Sequence, residues 1–240
     1  MRIQRLSFLI LAICFSFQSI GQEIQQYIDD EYISEDVFGI SKGTHGGIIS
    51  GFYYRHSQVQ ANGSLINYGV EIVNIKHPRE ARRTTSTGST FVFGKSNYLL
   101  SIRPTYGREK ILFKKAPQQG ARITAMAAAG PTFGLETPYF VELSNGRSEQ
   151  YDPENPTHAV ASIQGARSLL RGLTQSAIVL GAHAKTSLTF ETNSTKKRVF
   201  SIEVGFTIDA YTREIEILPE ANNRSVYTAG FFAIYFGRRR

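Results

Sequence analysis

The sequence predicts an all-β fold: an antiparallel up-and-down transmembrane β-barrel of about eight strands, with short periplasmic turns and long extracellular loops. Three observations predict it. Apolar and polar residues alternate at period two over segments longer than ordinary strands, connections alternate between short and long, and the chain opens with an apolar leader behind two arginines.

The alternation is cleanest over 200–209, where Phe200, Ile202, Val204, Phe206 and Ile208 share one face and Ser201, Glu203, Gly205, Thr207 and Asp209 the other. Ile66, Tyr68, Val70 and Ile72 alternate in the same way with Asn67, Gly69, Glu71 and Val73. Tyr98, Leu100, Ile102, Pro104 and Tyr106 alternate with Leu99, Ser101, Arg103 and Thr105. Weaker alternation runs through 46–57, 119–135, 173–191 and 225–237. Two-faced strands suit a soluble sandwich as well as a membrane barrel, but several of these runs last about twelve residues, the length a tilted membrane-crossing strand requires.

The connections supply the topology. Short turns fall at 58–63, where Asn62-Gly63 is a hairpin signal, and at 192–196, with an intermediate one at 108–118. Long connections fall at 77–94, 136–172 and 212–224. Placing the long ones on one side makes the last strand end on the other, so 46–57 needs a strand before it. Residues 35–43 supply one through a turn at Thr44 to Gly47, which brings the count to eight. Within 136–172, the stretch Ala159 to Leu170 after Pro156-Thr157-His158 reads as a short surface helix or a hairpin extension.

Arg2 and Arg5, the apolar run Leu6 to Phe17 and the small residues Ser19 and Gly21 form a secretory signal peptide ending near Gly21. The layout that follows is a signal peptide over 1–21, an N-terminal periplasmic segment over 22–34, the barrel over 35–237 and a basic tail over 238–240. The only cysteine, Cys14, leaves with the leader, which excludes disulfides, thiolate metal sites and a cysteine nucleophile from the mature chain. No later apolar run reaches the roughly 20 residues of a transmembrane helix. The net charge of +7 falls to +5 without Arg2 and Arg5. In an exported chain such a balance points to anionic headgroups or lipopolysaccharide rather than to nucleic acid.

If the apolar faces meet lipid, the polar faces converge inside and gather Glu71, Arg103, Arg122, His183, Lys185 and Glu203. Such charges must pair, because an unpaired buried ion costs several kcal/mol. Arg79, Arg82 and Arg83, at the start of a long loop, are candidates for contact with lipopolysaccharide phosphates. No catalytic, cofactor or metal motif is visible. The one enzyme-like string, Arg55-His56-Ser57, places His56 and Ser57 on opposite faces of a strand. The five histidines have no metal-ligand spacing.

The stretches Tyr68 to Pro78, Phe113 to Gly120 and Ala233 to Gly237, with the Gly21-Gln22 end of the leader, resemble uncharacterised Bacteroidota outer-membrane β-barrel proteins. The resemblance implies a small eight-stranded barrel and brings no catalytic residues with it. The expected function is that of a structural or interaction subunit of the outer membrane, presenting its long loops to a protein partner in an envelope complex. A narrow transport path, a lipid A-modifying enzyme and a soluble β-sandwich or lipocalin-like barrel are the alternatives.

Overall fold

The computed structural model describes residues 33–47, 49–114, 121–191 and 197–240. The leader and the turn at 192–196 lie outside the described residues, as do most of 22–34 and part of the 108–118 connection. Among the described residues thirteen strands form: β1 (Ser34–Gly43), β2 (Gly51–Val59), β3 (Leu65–Ile75), β4 (Ala81–Thr84), β5 (Thr90–Phe93), β6 (Asn97–Phe113) and β7 (Arg122–Pro138), then β8 (Phe140–Leu143), β9 (Ser148–Gln150), β10 (Ile163–Ala166), β11 (Ala177–Glu191), β12 (Arg198–Ile215) and β13 (Arg224–Arg239).

Eight of them close a barrel in the order β1-β13-β12-β11-β7-β6-β3-β2, every pair antiparallel. β1 completes the ring against β13, from Glu35↔Arg239 to Gly43↔Phe231. One end of the barrel, the turn end, carries the start of β1, the end of β13 and the tight turn 60–64. In that turn Gly63 sits at φ 75° and Asn62 Oδ1 accepts from Ser64 N at 3.0 Å. The opposite, loop end carries the connections 44–50, 76–96, 139–176 and 216–223.

Alternation decides which side each residue faces, and the barrel has its polar side in. Ser57, Asn67, Glu71, Ser101, Arg103, Lys185, Ser201, Glu203 and Asp209 are buried in the lumen, while Phe38, Phe52, Tyr68, Val70, Phe206, Ile208, Phe232 and Phe236 are exposed outside. Aromatic pairs gather outside near the turn end: Phe38 with Tyr54 at 4.9 Å, Tyr68 with Tyr106 at 5.4 Å and Phe200 with Phe236 at 5.2 Å between ring centroids. Along β7, where alanines obscure the pattern, Thr124, Met126 and Ala128 turn inward and Ala127 and Ala129 outward.

Several boundaries depart from those the sequence suggested. β2 begins at Gly51 rather than 46, because the chain turns after β1 at Thr44 and His45, with Ser50 Oγ accepting from Gly43 N at 2.6 Å. β11 begins at Ala177 rather than 173, because Leu169–Gln175 is a 3₁₀ segment whose first turn is capped by Ser168. β12 persists to Ile215, which shortens the last connection to 216–223. The stretch 159–170 is not an α-helix: Val160–Ser162 makes a 3₁₀ turn and Ile163–Ala166 pairs with β8 as a hairpin extension. The physical reason is that Ile163, 1% exposed, is worth more inside an apolar cluster than on a solvated helix.

The terminal arginines do not form a separate tail either. β13 runs through Arg239, whose guanidinium donates to Glu35 at 2.9 Å and also bonds Glu191. Two buried carboxylates hold the strand in register where composition alone suggested a solvated end.

Candidate functional site

Side chains pack the lumen. At its centre Glu203, fully buried, accepts from Arg55 at 3.0 Å and lies 3.0 Å from Lys185 Nζ. Lys185 also reaches Glu71 at 2.7 Å, and Arg103 joins Glu71 at 3.6 Å to Asp209 at 2.6 Å. Three cations and three carboxylates thus form one continuous chain across β2, β3, β6, β11 and β12. Rings add to it: Lys185 Nζ lies 4.7 Å from the Tyr53 centroid and 4.6 Å from that of Phe231, and Arg55 packs 4.9 Å over Tyr235. Nearer the turn end Arg122 meets Glu191 at 3.9 Å and Asn67 donates to Glu109 at 3.0 Å.

All six residues the sequence assigned to the interior are there, but they do not form one group. Glu71, Arg103, Lys185 and Glu203 belong to the central chain, and Arg122 pairs in the lower tier. His183 hydrogen-bonds Thr105 at 3.2 Å and Thr132 at 3.1 Å rather than joining an ion pair. Sequence reading missed Arg55, Asp209, Glu109, Glu35, Glu191 and Arg239. Parity was the signal available for Arg55 and Asp209, which alternate in step with Ser57 and Glu203.

Toward the loop end the lumen turns apolar. Leu99, Val179, Tyr211, Ile215, Ile217, Leu218 and Tyr227 are the loop-end part of a buried apolar cluster that continues down to Val37 and Val199, and the Tyr211 hydroxyl bonds Ser101 across the barrel. The 216–223 loop folds over this plug, with Asn223 Oδ1 accepting from Ile217 N at 3.1 Å and Ser96 N donating to Ile217 O at 3.0 Å. Voids inside include one of about 30 Å³ beside Arg103 and Asp209, one of about 20 Å³ beside Arg55 and Lys185 and one of about 10 Å³ beside Glu109 and Arg122. Each has room for roughly one water.

Above the barrel, two of the long connections fold into structure of their own. The hairpin β4–β5 lies against the sheet β10-β8-β9, and Phe91, Tyr139, Val141, Leu143, Tyr151 and Ile163 make a second buried cluster. Val92 N donates to the Tyr139 hydroxyl at 2.9 Å, and the Thr87 hydroxyl donates to Gln164 O at 2.9 Å, fastening one loop to the other. Burial pushes the Tyr139 phenol up to about 12. Lys95, 1% exposed, donates to Glu80 at 2.6 Å beneath this cap, and its burial pushes the ammonium below its ordinary value while Glu80 pulls it back.

Arg79, Arg82 and Arg83 are exposed on the cap. Arg82 and Arg83 are neighbours within β4 and point to opposite faces, and Arg83 stacks 4.2 Å over Phe93, so the three do not converge on one point.

The enzyme-like string also separates. Ser57 is buried in the lumen, while His56 lies outside and meets Asp36 at 2.8 Å. Among the described residues no group of three or more His, Cys, Asp or Glu side chains is placed to hold a metal ion. No helix among them is long and apolar enough to cross a membrane.

The fold and its interior therefore define a class: a closed eight-stranded antiparallel barrel with an ion-paired lumen, an apolar outer wall and a folded cap. No protein-family model matches the chain, and no curated protein matches it.

Proposed function

We propose that the protein is an outer-membrane β-barrel, exported by its N-terminal leader, that acts as a structural or interaction subunit and presents its cap to a protein partner in an envelope complex. The observation that carries this reading is the contrast between a filled lumen and elaborated loops. Voids of about 30 Å³ and less between ion-paired side chains leave little room for a solute. The loops meanwhile bury an apolar cluster of their own, an investment that a simple barrel closure does not need.

Membrane placement is supported by the outward apolar wall and by the aromatic belt near the turn end, since aromatic girdles sit at the interfaces of outer-membrane barrels. The resemblance to uncharacterised Bacteroidota barrel proteins agrees with it. On this reading Arg79, Arg82 and Arg83 face lipopolysaccharide as separate phosphate contacts.

The test is a detergent pull-down of a tagged chain from native envelopes, with boiled and unboiled samples compared on gels. A partner recovered in fixed ratio with a heat-modifiable chain is the expected result. A heat-modifiable chain recovered alone removes the subunit role, and a chain extracted by carbonate without detergent removes the membrane.

A further inference from the structure

The barrel wall is continuous up to Gly181 and Tyr211 and open above them. β11 and β12 pair from Glu191↔Ser201 to Gly181↔Tyr211 and no further. β11 nevertheless continues through Leu180, Val179 and Ile178 to Ala177, with register partners on β7 only, from Leu180↔Phe133 to Ala177↔Glu136. β12 continues too, but it bulges: between Ala210 and Ile215 its partner β13 advances only from Val226 to Arg224.

The reason for the parting is visible in the side chains. Arg213 donates to Glu136 Oε2 at 2.5 Å and Glu216 N donates to Glu136 Oε1 at 3.0 Å, so the end of β12 is tied across to β7 and bypasses β11. The seam starts where Gly181 permits the crossing, since a Cβ there would stand 2.5 Å from Ala210 O. Above it lies a notch of about 410 Å³ at the loop end, lined among others by Glu136, Gln175, Ala177, Arg213, Glu214 and Glu216.

We propose that this notch is the docking site of the partner, which adds an extended segment as a strand to the Ala177–Leu180 edge of β11; the proposal rests on the subunit reading above. Backbone N–H and C=O groups of successive strand residues point to alternate sides, so this four-residue edge turns half of its groups away from β7, and Ala177 at its end lines the notch. An unpaired edge of this kind is a template for strand addition.

The chemistry of the segment follows from its neighbours. Glu136 is occupied by Arg213, which leaves the exposed Glu214 and Glu216 to make the notch negative. A segment with Lys or Arg at alternate positions complements them. Its other face meets Ile178 and Leu180, which are 68% and 56% exposed. An acyl chain finds a poor match in so polar a lining.

The probe is a seven-residue peptide alternating lysine with valine, acetylated and amidated, added to the full chain in lipid nanodiscs. Expected is a slowing of amide hydrogen exchange at 177–180 by about tenfold or more, with the cap amides unchanged. A copy methylated on alternate backbone nitrogens should bind about tenfold more weakly, and Glu214→Lys with Glu216→Lys should weaken the unmethylated peptide about fivefold. No binding, binding without slowed exchange at 177–180, or equal binding of the methylated copy overturns the proposal. So does protection, in lipid and before peptide is added, of those 177–180 amides that point away from β7, which would mean that the edge is already covered.

In the envelope pull-down, loss of the partner from the double Glu→Lys variant supports the notch, and its retention overturns the notch while leaving the subunit reading intact. A wild-type chain that recovers no partner overturns the subunit reading itself.

Discussion

Phe91 and Tyr139 in the cap are sealed from solvent, whereas Phe206 and Phe236 on the barrel are 71% and 59% exposed, and Glu203 inside the barrel is not exposed at all. The cap is an ordinary core in miniature, with two small sheets closing on aromatic and aliphatic side chains. The barrel reverses that assignment over much of the chain, keeping charges such as Glu203 and Lys185 in and leaving rings such as Phe206 and Phe236 out. Burial therefore does not follow residue type; it follows what surrounds each surface. Where the surroundings are water, apolar groups gain by closing on one another. On the proposed membrane placement the wall faces hydrocarbon, so outward apolar groups cost nothing and the polar face must satisfy itself within the lumen.

The largest expected effect lies in the barrel. Glu203→Leu leaves Arg55 and Lys185 without their shared carboxylate, at a cost of about 3–5 kcal/mol. A lower urea midpoint for the barrel, with unchanged protease resistance of the cap, is the outcome that keeps the two regions distinct.

Phe91→Ala should do the reverse. It opens the cap cluster at a local cost of about 3 kcal/mol, so that trypsin nicks the loops while the unboiled chain keeps its mobility. If barrel and cap fail together, they are a single cooperative unit and the comparison collapses.

Phe206→Arg sharpens the comparison from the outside. A charge on a wall that meets hydrocarbon costs about 2–4 kcal/mol near the midplane, whereas on a water-facing surface it costs almost nothing. Refolding into bilayers and unfolding by urea would measure the difference.

The smallest effect belongs to the turn end. Gly63→Ala forces an alanine to φ 75° in the 60–64 turn and should lower barrel stability by about 1 kcal/mol. A neutral result would show that this hairpin can re-form with other torsions.

Much of this was legible in order of sequence. The 200–209 alternation fixed β12 and its inward Glu203, and the alternating connection lengths put both strand termini and the short turns at one end. Interior charges could be read wherever a strand's parity was clear, as for Glu71 and Arg103. They were missed where another pattern competed: Arg55 sat in a string that looked enzymatic, and Arg239 in a run that looked like a solvated tail. The cap was legible only as loop length, because its strands are three or four residues long and carry no period of their own.

By itself, then, the sequence determined which residues share a face of each strand, since period-two alternation is a local property that each strand carries alone, while strand and connection lengths pointed to an eight-stranded barrel. Only the tertiary structure decided which carboxylate meets which cation, how two distant loops share one apolar cluster, and where the wall parts above Gly181. Each of these depends on residues brought together from remote strands, as when Arg213 reaches Glu136 and draws β12 away from β11, and no local periodicity records such a meeting.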